Sequence, residues 1–139
     1  KRIGTNTRPS GFAIIDNKET LERIVALLPW FKSALSADFT ILVCGNPSVC
    51  VQKEYWTVDC AAATENILVA ARSINLGSVW MGIAPIEDNI RKVTEIIELP
   101  QGIIPFSMIA LGRPANPEVQ AVIRDAWRDD LLVTVKAKR

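Results

Sequence analysis

Chemistry that depends on a titrating imidazole is closed to this chain, which has no histidine among its 139 residues. A Ser-His-Asp or Cys-His nucleophilic centre cannot be assembled, and a zinc site would need unusual ligands. The three cysteines, Cys44, Cys50 and Cys60, are odd in number and lack CxxC spacing. That pattern argues against a disulfide framework and fits a reducing compartment. Cys60 lies in an apolar helical stretch and reads as a packing residue. No P-loop is present, and the glycines are too dispersed for GxGxxG. What remains open is chemistry carried by a bound organic cofactor, which requires no titrating side chain from the protein and no metal.

Two segments have residue types suited to holding such a group. In residues 4–12, Gly-Thr-Asn-Thr-Arg-Pro-Ser-Gly-Phe, Asn6 and Arg8 can offer an amide and a guanidinium to a planar, hydrogen-bonding ligand. The same Gly4, Asn6 and Pro9 also suffice for an ordinary turn. In residues 75–85, Asn-Leu-Gly-Ser-Val-Trp-Met-Gly-Ile-Ala-Pro, Gly82 stands where a strand should end. A glycine there lets backbone N–H groups approach a ligand with no Cβ in the way, though a plain strand-end turn reads the same. Trp30 and Trp80 are read as core or interface mass, with Trp127 less defined.

The elements that must position these segments follow from periodicity. Residues 12–15 form a short apolar strand; Asp16 and Glu19 have capping-box spacing, and Leu21, Ile24, Val25 and Leu28 recur at helical spacing until Pro29. Residues 30–35 read as a short second helix or turn, and residues 39–44 as a strand followed by a loop. A long helix is expected over residues 55–76 with Gly77 as its C′ residue. Its polar positions Asp59, Asn66 and Ser73 repeat every seven residues on an otherwise apolar cylinder, which implies burial on most sides and hence a place at a subunit interface. Residues 78–80 form a strand, Pro85 opens a helix as N1 with Ile86, Ile90, Val93 and Ile97 on its buried face, and residues 103–111 form the last clear strand. Residues 117–128 could hold a short helix and residues 131–135 an extended arm. The order is that of an α+β or α/β domain with helices packed on a small sheet.

Bulk composition narrows the partners. One domain is the expectation for this length, over residues 1–139. A hydrophobic fraction of 49% and a charged fraction of 22% suit a packed globular protein. A net charge of +1 offers no footprint for nucleic acid or an anionic membrane. No signal peptide or membrane-spanning run is visible, so a cytoplasmic protein with no membrane partner is expected.

Taken in order, these segments resemble the nitroreductase family of flavoenzymes over roughly residues 4–114. Asn6-Thr-Arg8-Pro9-Ser10-Gly11-Phe12 is similar to the family's Asn-x-Gln/Arg-Pro-Trp-x-Phe loop, with Ser10 in place of Trp. Asp59-Cys-Ala-Ala-Ala-Thr-Glu-Asn-Ile67 resembles its central helix, and Leu76-Gly-Ser-Val-Trp-Met-Gly82 its Leu-Gly-x-x-Trp-x-Gly. Leu99-Pro100, Ile104-Pro105 and the strand ending Gly112-Arg113-Pro114 complete the series.

The resemblance implies an α+β fold, mainly an antiparallel sheet flanked by helices, with the long helix at the centre of a homodimer. It implies FMN held noncovalently at the dimer interface, NAD(P)H as hydride donor, and nitroaromatic, quinone or related oxidised small molecules as electron acceptors. By position, Asn6 and Arg8 would hydrogen-bond the polar edge of the isoalloxazine, and the backbone at Met81 and Gly82 would face flavin N5 and O4. An N–H donor there is electrostatic preorganisation and not acid–base catalysis, so no side chain is named as catalytic. Arg124 stands where the family pairs a basic residue with the FMN phosphate, with Arg113 and Arg128 as competitors. The family's N-terminal helix and Arg-rich phosphate segment have no counterpart, and the tail from Ala115 lacks the usual His. The chain is therefore expected either to lack an N-terminal portion or to have lost half of its phosphate site. Two further readings stay open: a catalytically silent member of the fold that binds a ligand or partner, and an unrelated nucleotide-binding domain built on a parallel, doubly wound sheet.

Overall fold

The apolar, β-branched runs become four strands: β1 (Ser10–Ile15), β2 (Phe39–Gly45), β3 (Gly77–Gly82) and β4 (Ile104–Gly112). In the computed structural model, which describes residues 8–116, they form one sheet in the order β1-β2-β4-β3 with every neighbouring pair antiparallel. The parallel, doubly wound alternative is thereby overturned, and the α+β reading holds. β2 and β4 lie at the centre and are apolar on both sides because both faces of the sheet are covered.

Helix α1 (Lys18–Leu27), a 3₁₀ helix (Pro29–Ser36) and α3 (Glu87–Ile97) pack on one face. Their Leu21, Ile24, Phe31 and Val93 are buried against Leu42, Met81 and Met108 of the sheet. Helix α2 (Trp56–Ser73) covers the other face, with Cys60 and Ala71 against Val43, Ile109 and Leu111. A register shift opposite Val43 and Cys44 makes Phe106 an extra residue in β4. As β-bulges do, it breaks the alternation, so that consecutive Phe106 and Ser107 both reach the α2 layer.

Several boundaries move for identifiable reasons. Asn17, not Asp16, caps α1: its side-chain oxygen accepts the Thr20 N–H at 2.9 Å. The α2 helix ends at Ser73, four residues before Gly77, and the left-handed position is taken by Asn75 at φ 60°. Asn tolerates that conformation through its short polar side chain, which frees Gly77 to open β3. Pro85 is not the N1 residue of α3; it follows a cis peptide bond and precedes the cap, Ile86. Ile86 is accordingly exposed, and Asn89 is buried on that helix instead. Trp30 is 59% exposed and Trp80 39%, so neither is core.

The expectation for α2 concerned its surroundings. Cys60, Thr64 and Ala71 are buried, whereas Val58 and Val69 on the opposite side are 59% and 61% exposed. The sheet covers one stripe of this helix and leaves Val58 and Val69 open on the other, with Glu65 between them.

Gly45 marks where α2 crosses the end of β2. A Cβ built there would run into the ring of Trp56, itself packed edge-on to Phe106 with ring centroids 6.0 Å apart. Overpacking of this kind costs about 1–3 kcal/mol. Gly45→Ala is therefore expected to lower the thermal midpoint by several degrees in a denaturation scan. An unchanged midpoint would mean that Trp56 swings aside freely.

Candidate functional site

Antiparallel pairing places the start of β1, the ends of β2 and β3 and the start of β4 at one end of the sheet. Ser10 pairs with Gly45 and Gly45 with Ile104, while Phe12, Val43, Ser107 and Gly82 form a continuous cross-strand row. Helix α2 begins at this same end, where Cys60 approaches the Cys44 carbonyl. Of the five residues singled out from the sequence, Arg8, Met81 and Gly82 lie here; Asn6 and Arg124 fall outside the described residues.

Met81 and Gly82 differ in what they can offer. Ile83 donates its N–H to the Phe106 carbonyl at 3.0 Å. Donors along an antiparallel strand alternate in direction, so the Met81 N–H also points into the ladder and the Gly82 N–H points away from β4. β3 is an edge strand among the described residues, so that donor faces open space. The Met81 side chain is committed to the core. A Cβ placed on Gly82 would meet nothing within 4 Å. Packing among the described residues therefore does not demand glycine at this position. The indole of Trp80, two residues back, lies 6.1 Å from the Phe106 ring and walls this space on the α2 side.

Arg8, exposed and at φ 43°, leads into β1 at the opposite edge of the sheet. Its loop is tied down by the Asn46 N–H donating to the Pro9 carbonyl at 2.8 Å. The Asn46 side chain accepts from the Ser48 N–H and hydroxyl and so holds its own turn. Arg8, Ser10, Gly11, Cys44, Asn46 and Ile103 line a cavity of about 280 Å³. That is the low end for a small-molecule pocket. Between β1 and β3 lie three strand spacings, about 14 Å. One protomer therefore presents the Arg8 loop and the Gly82 donor as two separate half-sites.

Asn46 and Ile103 escaped the sequence reading, which registered only a Gly-Asn-Pro-Ser loop. Their proximity to Arg8 depends on strand pairing and has no local signature.

Arg113 can be removed from the candidates. Its backbone N–H, Nε and Nη2 donate to the Asp38 carboxylate at 2.9, 3.2 and 3.1 Å. The Arg113 hydrogen bonds, from side chain and then backbone, hold the Asp38 carboxyl below its ordinary range. This pair closes the far end of the sheet, about 20 Å along the chain of β4 from the residue opposite Gly82.

The thiols near the site are quiet. Burial pushes Cys44 up to about 11. Burial, followed by the charges of Cys44, Asp59 and Cys50, pushes Cys60 up to about 12. At pH 8 each buried thiol is then ionised to about one part in a thousand or less. Iodoacetamide at that pH is expected to alkylate Cys50 alone in the native protein, read by peptide mass spectrometry. Labelling of Cys44 or Cys60 ahead of Cys50 would contradict this.

The sequence model of the nitroreductase family matches residues 51–113. A solved structure from Bacteroides thetaiotaomicron, provisionally named NADH dehydrogenase/NAD(P)H nitroreductase, is 31% identical and superposes with a TM-score of 0.85 over 98% of this chain and 77% of its own. The chain belongs to the nitroreductase family. A second structure of that provisional name, from Parabacteroides distasonis, is 26% identical with a TM-score of 0.87, covering 98% of this chain and 78% of its own. Among sequences with the same provisional name, one from Methanothermobacter thermautotrophicus is 40% identical over 79% of this chain. Another, from Archaeoglobus fulgidus, is 34% identical over 80%. The chain spans 58% and 64% of the length of these two family members. Among the described residues, no helix is long and apolar enough to cross a membrane.

Proposed function

We propose that this chain is one FMN-binding domain of a cytoplasmic homodimeric oxidoreductase. It would take hydride from NAD(P)H and reduce nitroaromatic, quinone or related oxidised small molecules. The observation that carries the reading is the Gly82 N–H, turned out of the β3–β4 ladder at a strand edge that is unpaired among the described residues. FMN would supply the redox chemistry; the protein's part is to bind it, orient it and exclude water.

The residues at this end of the sheet fit such a group. Gly82 offers a neutral donor to the ring's polar edge, which favours negative charge there without a proton transfer. Arg8, together with Asn6, would address the pyrimidine edge, and Arg124 the phosphate. Because Arg8 and Gly82 stand at opposite edges of one sheet, a single flavin reached by both needs two copies of the chain. The open stripe of α2 around Val58 and Val69 is the surface on which the second copy would rest.

Titrating the purified protein with FMN tests this. A yellow species that remains through gel filtration and bleaches with NADH or NADPH is expected. Colourless protein after incubation would remove the oxidoreductase reading. Bound flavin that neither cofactor bleaches would favour the catalytically silent alternative.

A further inference from the structure

Between α2 and the sheet, the buried side chains described are apolar except for two hydroxyls, Thr64 and Ser107, both with no exposed surface. Thr64 Oγ1 lies 2.7 Å from the Cys60 carbonyl oxygen and 2.8 Å from Ser107 Oγ. A hydroxyl has one hydrogen and a carbonyl can only accept, so Thr64 donates to Cys60 and Ser107 donates to Thr64. Ser107 is the residue directly opposite Gly82 in the β3–β4 ladder. Gly82 and Ser107 form a pair without mutual hydrogen bonds, the kind in which the two backbones come closest, about 4.5 Å between Cα atoms.

We propose that Thr64 and Ser107 are positioning residues for the flavin. Their hydrogen bond sets the rotation and height of α2 on β4, and so holds the Gly82 donor at a fixed place relative to the outer face of that helix. The proposal rests on the function given above, in which the flavin is bounded by the Gly82 edge and by a second copy lying on α2. A slip of α2 would then shift one wall of the site against the other.

Stability alone is a poor account of the pair. Replacing both partners of a buried hydrogen bond by apolar groups of similar shape is close to neutral, so valine and alanine would hold the layer together as well. The Cys60 carbonyl keeps its helical partner, the Thr64 N–H, in either case. Apolar contact is non-directional, whereas a hydrogen bond fixes an angle and a distance. What the two hydroxyls add is register.

The test is the double variant Thr64→Val/Ser107→Ala, prepared as full-length protein beside wild type. The expected result is an unchanged melting temperature and oligomeric state with FMN bound about tenfold more weakly, as when a supporting hydrogen bond is removed behind a bound group. The midpoint potential of the bound flavin is expected to become more negative, because a displaced donor favours negative charge on the ring less. Thr64→Ser, which keeps the hydroxyl, should restore both readouts. Wild-type affinity and potential in the folded double variant would overturn the proposal. So would a lower melting temperature with an unchanged potential, the pattern of a purely structural pair. If wild type itself takes up no FMN, the functional reading beneath the proposal fails, and the two failures are told apart.

Discussion

Replacing Gly82 by proline is expected to weaken binding of oxidised FMN by about twofold to tenfold while the fold stands, because one hydrogen bond between neutral groups accounts for about 0.5–1.5 kcal/mol. The substitution deletes a single N–H. That N–H faces away from β4, so no ladder bond is lost, and proline is tolerated on edge strands whose N–H faces outward. Met81, preceding it, is already extended, the conformation proline imposes on its predecessor. Gly82→Ala keeps the donor but puts a methyl group into the open space, so comparing the two separates loss of the hydrogen bond from loss of room. Flavin fluorescence titration gives the affinities and circular dichroism melting the fold. A well-folded proline variant that binds FMN like wild type would exclude Gly82 as the donor.

The second large effect is expected at the outer stripe of α2. Val58 and Val69 stand about three turns apart on the helix, both exposed within the protomer, so glutamate at either position leaves the monomer's packing intact. In a two-fold dimer that closes on this stripe, each substitution appears twice and brings unpaired carboxylates into a desolvated contact. Burying an unpaired charge costs several kcal/mol, which corresponds to dimer dissociation strengthened on the order of a hundredfold or more. Val58→Glu/Val69→Glu is therefore expected to sediment as a monomer and to lose FMN, at near-native helix content. A variant that stays dimeric would move the interface elsewhere. A wild type that is monomeric and still holds flavin would detach the site from dimerisation altogether.

Much of the architecture was legible because it rests on local rules. The runs 12–15 and 39–44 mapped onto β1 and β2, and the apolar run 55–76 onto α2, although the sheet buries only one side of that helix. Where reading failed, two residues competed for one role. Asp16 and Asn17 both cap helices well, and only the backbone decided for Asn17. Gly77 and Asn75 both tolerate positive φ, and the residue nearer the last turn took it. Ile86 lost its place on the buried face because α3 starts two residues after Pro85, which rotates the stripe.

By itself, the order of residues determined the family resemblance: the series of Asn-Arg-Pro, helix and Leu-Gly-Trp-Gly segments is similar to that of the nitroreductase family. Tertiary structure alone decided which atoms are left free to meet a ligand. That the Gly82 N–H faces outward while the Met81 N–H is spent depends on ladder phase, which no local pattern encodes. That Arg8 and Gly82 share an end of the sheet but not an edge depends on strand order. Propensity acts between near neighbours in the chain, whereas the pairs at this end of the sheet, from Gly82 with Ser107 to Val43 with Ser107, join residues tens of positions apart.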